Sequence, residues 1–211
     1  MLDRLTPNIK PFTWDDLLIE SVTTKNIPKF SCYPFHHRAI VAGYGSNLSK
    51  EIRLEKLFMD HIPIYRRQGG GCSVFLDQGC LIVSIAFPAR GLSGIRTHFV
   101  NCTRWLIKGL TKTGINGIYQ DGISDLVIDN HKIGGSCLKR SKGFVYFSAS
   151  LLVSADLGQM DNYLKYPPRE PAYRNGRRHH DFVRNINQYH HEITIQDLAP
   201  GLEKNLALGF S

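Results

Sequence analysis

No run of 18 apolar residues occurs among the 211 of this chain, which excludes a membrane-spanning helix. The opening residues, Met1-Leu2-Asp3-Arg4-Leu5-Thr6-Pro7, lack the apolar stretch of a signal peptide. Cysteine is sparse: five residues (32, 72, 80, 102 and 137), scattered, with no C-x-x-C pair. That argues against a disulfide framework and a zinc knuckle, and we expect a reducing, cytoplasmic setting. Three histidine pairs (36–37, 179–180, 190–191) do not amount to a zinc site. Adjacent histidines point apart in a strand, and no second cluster has ligand spacing. There is no internal repeat, and no helix-turn-helix, RNP-type or zinc pattern that would support nucleic-acid binding.

What remains is an ordinary globular composition, 42% hydrophobic and 21% charged, long enough to bury the core of one domain over 1–211. The net charge of +8 predicts attraction to an acidic partner without saying whether it is nucleic acid, nucleotide or protein.

Hydrophobic spacing predicts alternating elements. Thr13-Trp14-Asp15-Asp16 starts a short helix to Val22, and Ser49 caps another carrying Leu54, Leu57 and Phe58. Arg38 to Gly43, Ile62 to Arg66, Cys72 to Leu76 and Leu81 to Phe87 read as strands punctuated by glycine. The clearest helix follows Ser93, with Ile95, Phe99, Cys102, Leu106 and Leu110 on one face and Gly114 as its stop. A hairpin joins Leu126-Val127-Ile128 to Lys132-Ile133, and Gly143 to Val153 is a long strand. Segment 161–176 reads as a loop, followed by helices at 177–189 and 201–209. The fold class expected is α+β, with helices packed on a central, largely antiparallel or mixed sheet.

Two stretches carry chemistry. Arg66-Arg67-Gln68-Gly69-Gly70-Gly71 ends a strand in cations and naked backbone, where N–H groups approach a phosphate unhindered. Ser124-Asp125-Leu126 leads to Lys132-Ile133-Gly134-Gly135-Ser136, one carboxylate followed seven residues later by one lysine. Asp125 is a candidate Mg²⁺ ligand, because Mg²⁺ usually takes one or two carboxylates together with phosphate oxygens. Each piece also has a plainer reading: a flexible connection, a solvated hairpin lysine, a strand start.

In combination these motifs resemble the lipoate–protein ligase A family, within the lipoyl/biotinyl ligase superfamily. The match runs through Arg67-x-Gly-Gly-Gly, Val74 to Gly79, Ser124-Asp125-Leu126, Lys132-Ile133-x-Gly-Ser136, Ser150-Leu151-Leu152, Ala155-Asp156-Leu157 and Arg169-Glu-Pro-x-Tyr173-Arg174. It spans roughly residues 38 to 185. The resemblance implies that lipoate and Mg-ATP form lipoyl adenylate, and that the lipoyl group then passes to a lysine of a small carrier. It implies that Lys132 is the catalytic lysine, contacting acyl carbonyl and α-phosphate. Arg67, Gly69, Gly70, Gly71, Asp125, Gly135 and Ser136 join it in holding ATP and the adenylate. The partner implied is an acidic lipoyl domain or a glycine-cleavage H-like protein, docked on the basic Arg174, Arg177 and Arg178. Neither nucleic acid nor membrane is expected as a partner.

The chain departs from the family pattern at Leu76 (histidine there), Cys80 (asparagine), Ser148-Ala149 (His-Gly) and Gly122-Ile123-Ser124 (Gly-Arg-Asn). It also lacks room for a C-terminal accessory domain, so we expect either a second polypeptide or a single-domain mode. Two rivals stand beside this reading. One is an ATP-independent octanoyl or lipoyl transferase with a thioester on Cys137, the cysteine five residues past Lys132. The other is a non-catalytic carrier- or nucleic-acid-binding protein.

Overall fold

A computed structural model describes residues 7–89, 94–141 and 143–207. In chain order the strands are β1 (Ile9–Pro11), β2 (Lys29–Pro34), β3 (Ala39–Ala42), β4 (Ile64–Arg66), β5 (Val74–Leu76), β6 (Cys80–Pro88), β7 (Tyr119–Asp121), β8 (Asp125–Ile128), β9 (His131–Ser141) and β10 (Phe144–Leu152). The helices are α1 (Asp16–Lys25), α2 (Leu48–Glu51), α3 (Leu54–Met59), α4 (Ile95–Lys112), α5 (Gly158–Tyr163), α6 (His179–Phe182) and α7 (Ile195–Ala207).

The fold is α+β as expected, but its strands divide into two sheets. The smaller is mixed, in the order β1-β4-β3-β5, with β4 parallel to both neighbours. The larger is antiparallel, in the order β2-β6-β10-β9-β8-β7. Strand β6 shows why both of its faces must be covered. Side chains alternate along a strand, so Leu81, Val83 and Ile85 face α4 and α7, whereas Cys80 and Ile82 face the smaller sheet. Helix α4 meets α7 at Gly109, where a Cβ would lie 2.5 Å from Leu206 Cδ2. Its periodic face buries Cys102, Leu106 and Leu110, and Gly114 ends it at φ +91°. Ser93 lies outside the described residues.

The hairpin between β8 and β9 turns on Asp129 and Asn130, both at positive φ (44° and 61°), as a two-residue loop of the I′ kind requires. Four expectations change. The helix from Ser49 is interrupted between α2 and α3, where Ile52 bridges Leu164. The span 177–189 is not one helix, because Val183 is extended and bridges Lys132 between α6 and a 3-10 turn at Ile186–Gln188. The last helix begins earlier, at Ile195, because the Thr194 hydroxyl accepts the Asp197 amide at 3.2 Å and caps it. Residues 208–209 lie outside the described residues. The loop 161–176 contains the end of α5 and a 3-10 turn at Ala172–Arg174.

Candidate active site

The glycine loop leaves β4 and folds over β9. Gln68 accepts a bond from Lys139 Nζ at 2.7 Å, and Gly69 lies so close to Cys137 that a Cβ there would be 2.5 Å from its sulfur. The loop carbonyls are all taken by donors of the chain itself. Gly69 O accepts from the Tyr44 amide (2.9 Å), Gly70 O from Arg67 Nη2 (2.8 Å) and Gly71 O from the Ser46 hydroxyl (3.1 Å). Among the described residues, no partner takes the amide hydrogens of Gly69, Gly70 or Gly71. Carbonyls taken up by internal donors and N–H groups left unpaired suit such a loop to an anion. Gly71 sits at φ +93°, the region that favours glycine, and a Cβ on it would also crowd Arg67 at 3.0 Å. Gly70 meets neither constraint.

Arg67 fastens this loop from behind. Its guanidinium donates to the carbonyls of Val41, Gly70 and Cys72, each at 2.8 Å. Glu51 fastens the other end, accepting from the Ser73 amide at 2.6 Å and hydroxyl at 2.7 Å. Arg67 therefore shapes the glycine loop as well as lending it charge.

The second half of the site is built on β8 and β9. Asp125 pairs in register with Gly135, and a bulge between Leu126 and Val127 lets Ile133 go unmatched. The bulge re-aims Lys132. Its side chain crosses the space that a Cβ on Gly135 would fill, 3.0 Å from Nζ, and reaches Asp125 Oδ1 at 2.8 Å. Asp125 Oδ2 accepts from the Tyr173 hydroxyl at 2.9 Å. Burial, and next the Asp125 charge, push that phenol far above its ordinary value. Ser136, expected to touch the adenylate, instead donates its hydroxyl to Ser124 O at 3.0 Å and pins the turn before Asp125.

A strap over 171–184 closes the site from the side. Arg184 donates its amide to Lys132 O at 3.0 Å, and Tyr173 packs on Phe182. Arg174, expected to be a docking residue on the surface, is 4% exposed. Its guanidinium stacks between the rings of Tyr166 (4.8 Å) and Phe182 (4.7 Å), which shield it from any partner. Arg177 also bends inward, donating to the carbonyls of Arg174 and Tyr173, and Arg178 is exposed. Tyr173 and Glu51 are the site residues that sequence reasoning missed. Tyr173 stands inside a motif that the reading quotes, while nothing local marks Glu51.

Cys137 is buried beneath Gly69, and burial pushes its thiol up although Arg67 works against the shift. Such a thiol is a packing residue, poorly placed to carry a thioester. At Cys72, burial and then Glu51 raise the thiol against the pull of Lys132 and Arg67. Asp125 does not fit a Mg²⁺ ligand in this arrangement. Each of its oxygens already has a partner, one of them an ammonium. Among the described residues no group of three His, Cys, Asp or Glu could hold a metal.

The lipoate-protein ligase A of Blochmanniella pennsylvanica is 27% identical over 198 residues, 90% of this chain and 56% of that protein. The chain spans about half, or less, of the length of the curated relatives it matches. In fold it is similar to a bi-partite lipoate protein ligase from Thermoplasma acidophilum, studied with its E2 lipoyl domain: TM-score 0.76, 20% identity, 96% of this chain and 81% of that one. A lipoate-protein ligase A bound with ATP gives TM-score 0.75 at 19% identity, over 97% of this chain and 85% of that one. A family model, the lipoyl protein ligase A/B catalytic domain, matches residues 9–207. Matched over that range, this chain belongs to the lipoyl protein ligase A/B catalytic domain family.

Proposed function

We propose that the chain is the catalytic part of an ATP-dependent lipoate–protein ligase. The observation that carries this is the Lys132 ammonium at one end of β9, with the unpaired glycine amides held over the same strand. In the first step the lipoate carboxylate attacks the α-phosphorus of ATP and pyrophosphate leaves, giving lipoyl-AMP. Carboxylate and phosphate repel each other, so the step needs donors around both. The glycine amides hold phosphate oxygens, and Lys132 keeps one N–H on Asp125 while its other two meet the acyl and α-phosphate oxygens. In the second step the carrier lysine attacks the acyl carbonyl, the amide forms, AMP leaves and the amine loses a proton. Lys132 stabilises the oxyanion that develops there. Magnesium, bound to the phosphates of ATP, would neutralise charge on the nucleotide.

The acceptor we propose is an acidic lipoyl domain or H-like carrier. With Arg174 buried, its docking rests on Arg178 and the edge of Arg177. A second polypeptide supplying an accessory domain is a further element of the proposal, as is a cytoplasmic location. No helix among the described residues is long and apolar enough to cross a membrane.

The test is incubation with lipoate, octanoate or biotin and a panel of carrier proteins, with and without ATP, read by intact mass. ATP-dependent lipoylation of one carrier lysine is expected. Transfer without ATP, with an acyl thioester mapped to Cys72 or Cys137, would replace the ligase by a transferase.

A further inference from the structure

We infer that Tyr173 is a positioning residue for the reaction: its hydroxyl holds Asp125 so that Asp125 can aim Lys132. The inference rests on the proposal that Lys132 meets the reacting carboxylate and phosphate. The main chain of Lys132 is already fixed by the bulge at Ile133 and by the Arg184 amide on its carbonyl. What stays free is the side chain, four methylenes long and lying over a glycine with no Cβ to guide it. Its direction is set by Asp125 Oδ1 at 2.8 Å. A carboxylate held only by a flexible ammonium still rotates about its last bond, carrying the ammonium with it. The second oxygen is fixed by the Tyr173 hydroxyl at 2.9 Å, and the phenol ring is itself held against Phe182. One segment, 173–184, thus grips the backbone of Lys132 through Arg184 and its side chain through Tyr173 and Asp125. With the carboxylate held in place by Tyr173, Lys132 keeps one N–H on Asp125 and presents its other two to substrate.

The experiment compares Tyr173→Phe, Asp125→Asn and the double variant by ATP–pyrophosphate exchange with lipoate. Tyr166→Phe serves as a control, because that hydroxyl bonds Glu170 and does not touch the pair. Misplacement of a reacting group by about 1 Å can cost up to about a hundredfold. Tyr173→Phe is therefore expected to lower kcat about tenfold or more, with KM for ATP within about twofold of the parent. The double variant should match Asp125→Asn alone, because both changes cut one chain of contacts. A Tyr173→Phe enzyme with parental kcat, or penalties that multiply in the double variant, would overturn the inference. A second readout needs no activity: the rate at which Lys132 is reductively methylated, followed by mass spectrometry. The rate should rise in Tyr173→Phe and rise further in Asp125→Asn, with Tyr166→Phe unchanged. A parental labelling rate in Tyr173→Phe sinks the positioning role. Absence of exchange in the parent, with labelling as expected, sinks only the ligase reading.

Discussion

Asp15 and Asp125 are both buried, and both accept a hydrogen bond from tyrosine, yet they do different work. Among the described residues Asp15 has only hydroxyl partners: Tyr33 on Oδ1, and Ser84 and Tyr146 on Oδ2. Ser84 has a single proton to give, so its contact with Ser148 must be donated by Ser148. The network ends on the carboxylate and fastens the start of α1 to β2, β6 and β10. With no cation beside it, burial raises the carboxyl above its ordinary range, the three hydroxyls working against the shift. Asp125 instead shares its charge with an ammonium. A carboxylate ringed by hydroxyls holds structure together. One paired with a cation, on the strand over which a glycine loop holds unpaired amides, suits the chemistry proposed above.

The contrast is broken or sharpened most strongly at its centre. Lys132→Ala should slow pyrophosphate exchange about 10²–10³-fold, from the roughly 3–4 kcal/mol that a lost oxyanion contact costs. Its melting temperature should change little. Asp15→Ala should do the reverse, leaving three donors without an acceptor at about 1–3 kcal/mol for each buried group left unsatisfied. Calorimetric melting together with exchange per folded molecule separates the two. A folded but inactive Asp15→Ala protein would erase the distinction.

Next come two glycines. A Cβ on Gly135 would meet the flexible end of Lys132, 3.0 Å from Nζ, so Gly135→Ala should keep the fold and cost about tenfold in exchange. A Cβ on Gly79 would meet backbone, 2.3 Å from Ala155 N and Ser154 O. Gly79→Ala should therefore lower stability by about 1–3 kcal/mol in urea melts, and activity only in step with the folded fraction.

These residues also mark what the sequence could reveal. The glycines before Cys72 and the strand at 81–87 were legible because each rests on a local rule, a run without Cβ and a short β-type stretch. Lys132 was singled out by the family resemblance, since alone it reads as a solvated hairpin lysine. The roles of Arg67, Arg174 and Asp125 were not legible. Arg67 turns inward because the carbonyl of Val41, 26 residues earlier, lies beneath it. Arg174 belongs to a run of cations that reads as a solvated face. The rings that bury it, Tyr166 and Phe182, follow no helical or strand period. Asp125 looked like a metal ligand because its engagement with Lys132 depends on a bulge that no turn residue announces.

A smaller effect is expected at Cys137. Cys137→Ser should leave ATP-dependent exchange within about twofold, because the adenylate path needs no thiolate. A hydroxyl buried under Gly69 without a new partner should cost about 1–3 kcal/mol of stability. Intact-mass assays and urea melts on one preparation read both. Loss of turnover at full stability would return the sulfur to the chemistry.

The finest test concerns pH and returns to Asp15. Its carboxyl is raised in the folded protein, so the fold favours the protonated form. The stability this contributes is fully present below the ordinary carboxylate value of 3.8 and is lost as pH rises through the raised value. Asp60 and Asp161 are shifted the other way, Asp60 chiefly by the Tyr163 hydroxyl and Asp161 by its histidine partners against burial. They contribute in the opposite sense, so the slope of the parent alone is mixed. The difference between the parent and Asp15→Asn cancels them. Urea unfolding of both at a series of pH values should show the parent losing ground to the variant from about pH 4 upward. The difference should become constant once Asp15 is ionised in both states. A difference that does not change with pH would mean that the hydroxyls around Asp15 fully compensate its burial. The two carboxylates would then differ in their partners alone and not in the cost of their charge.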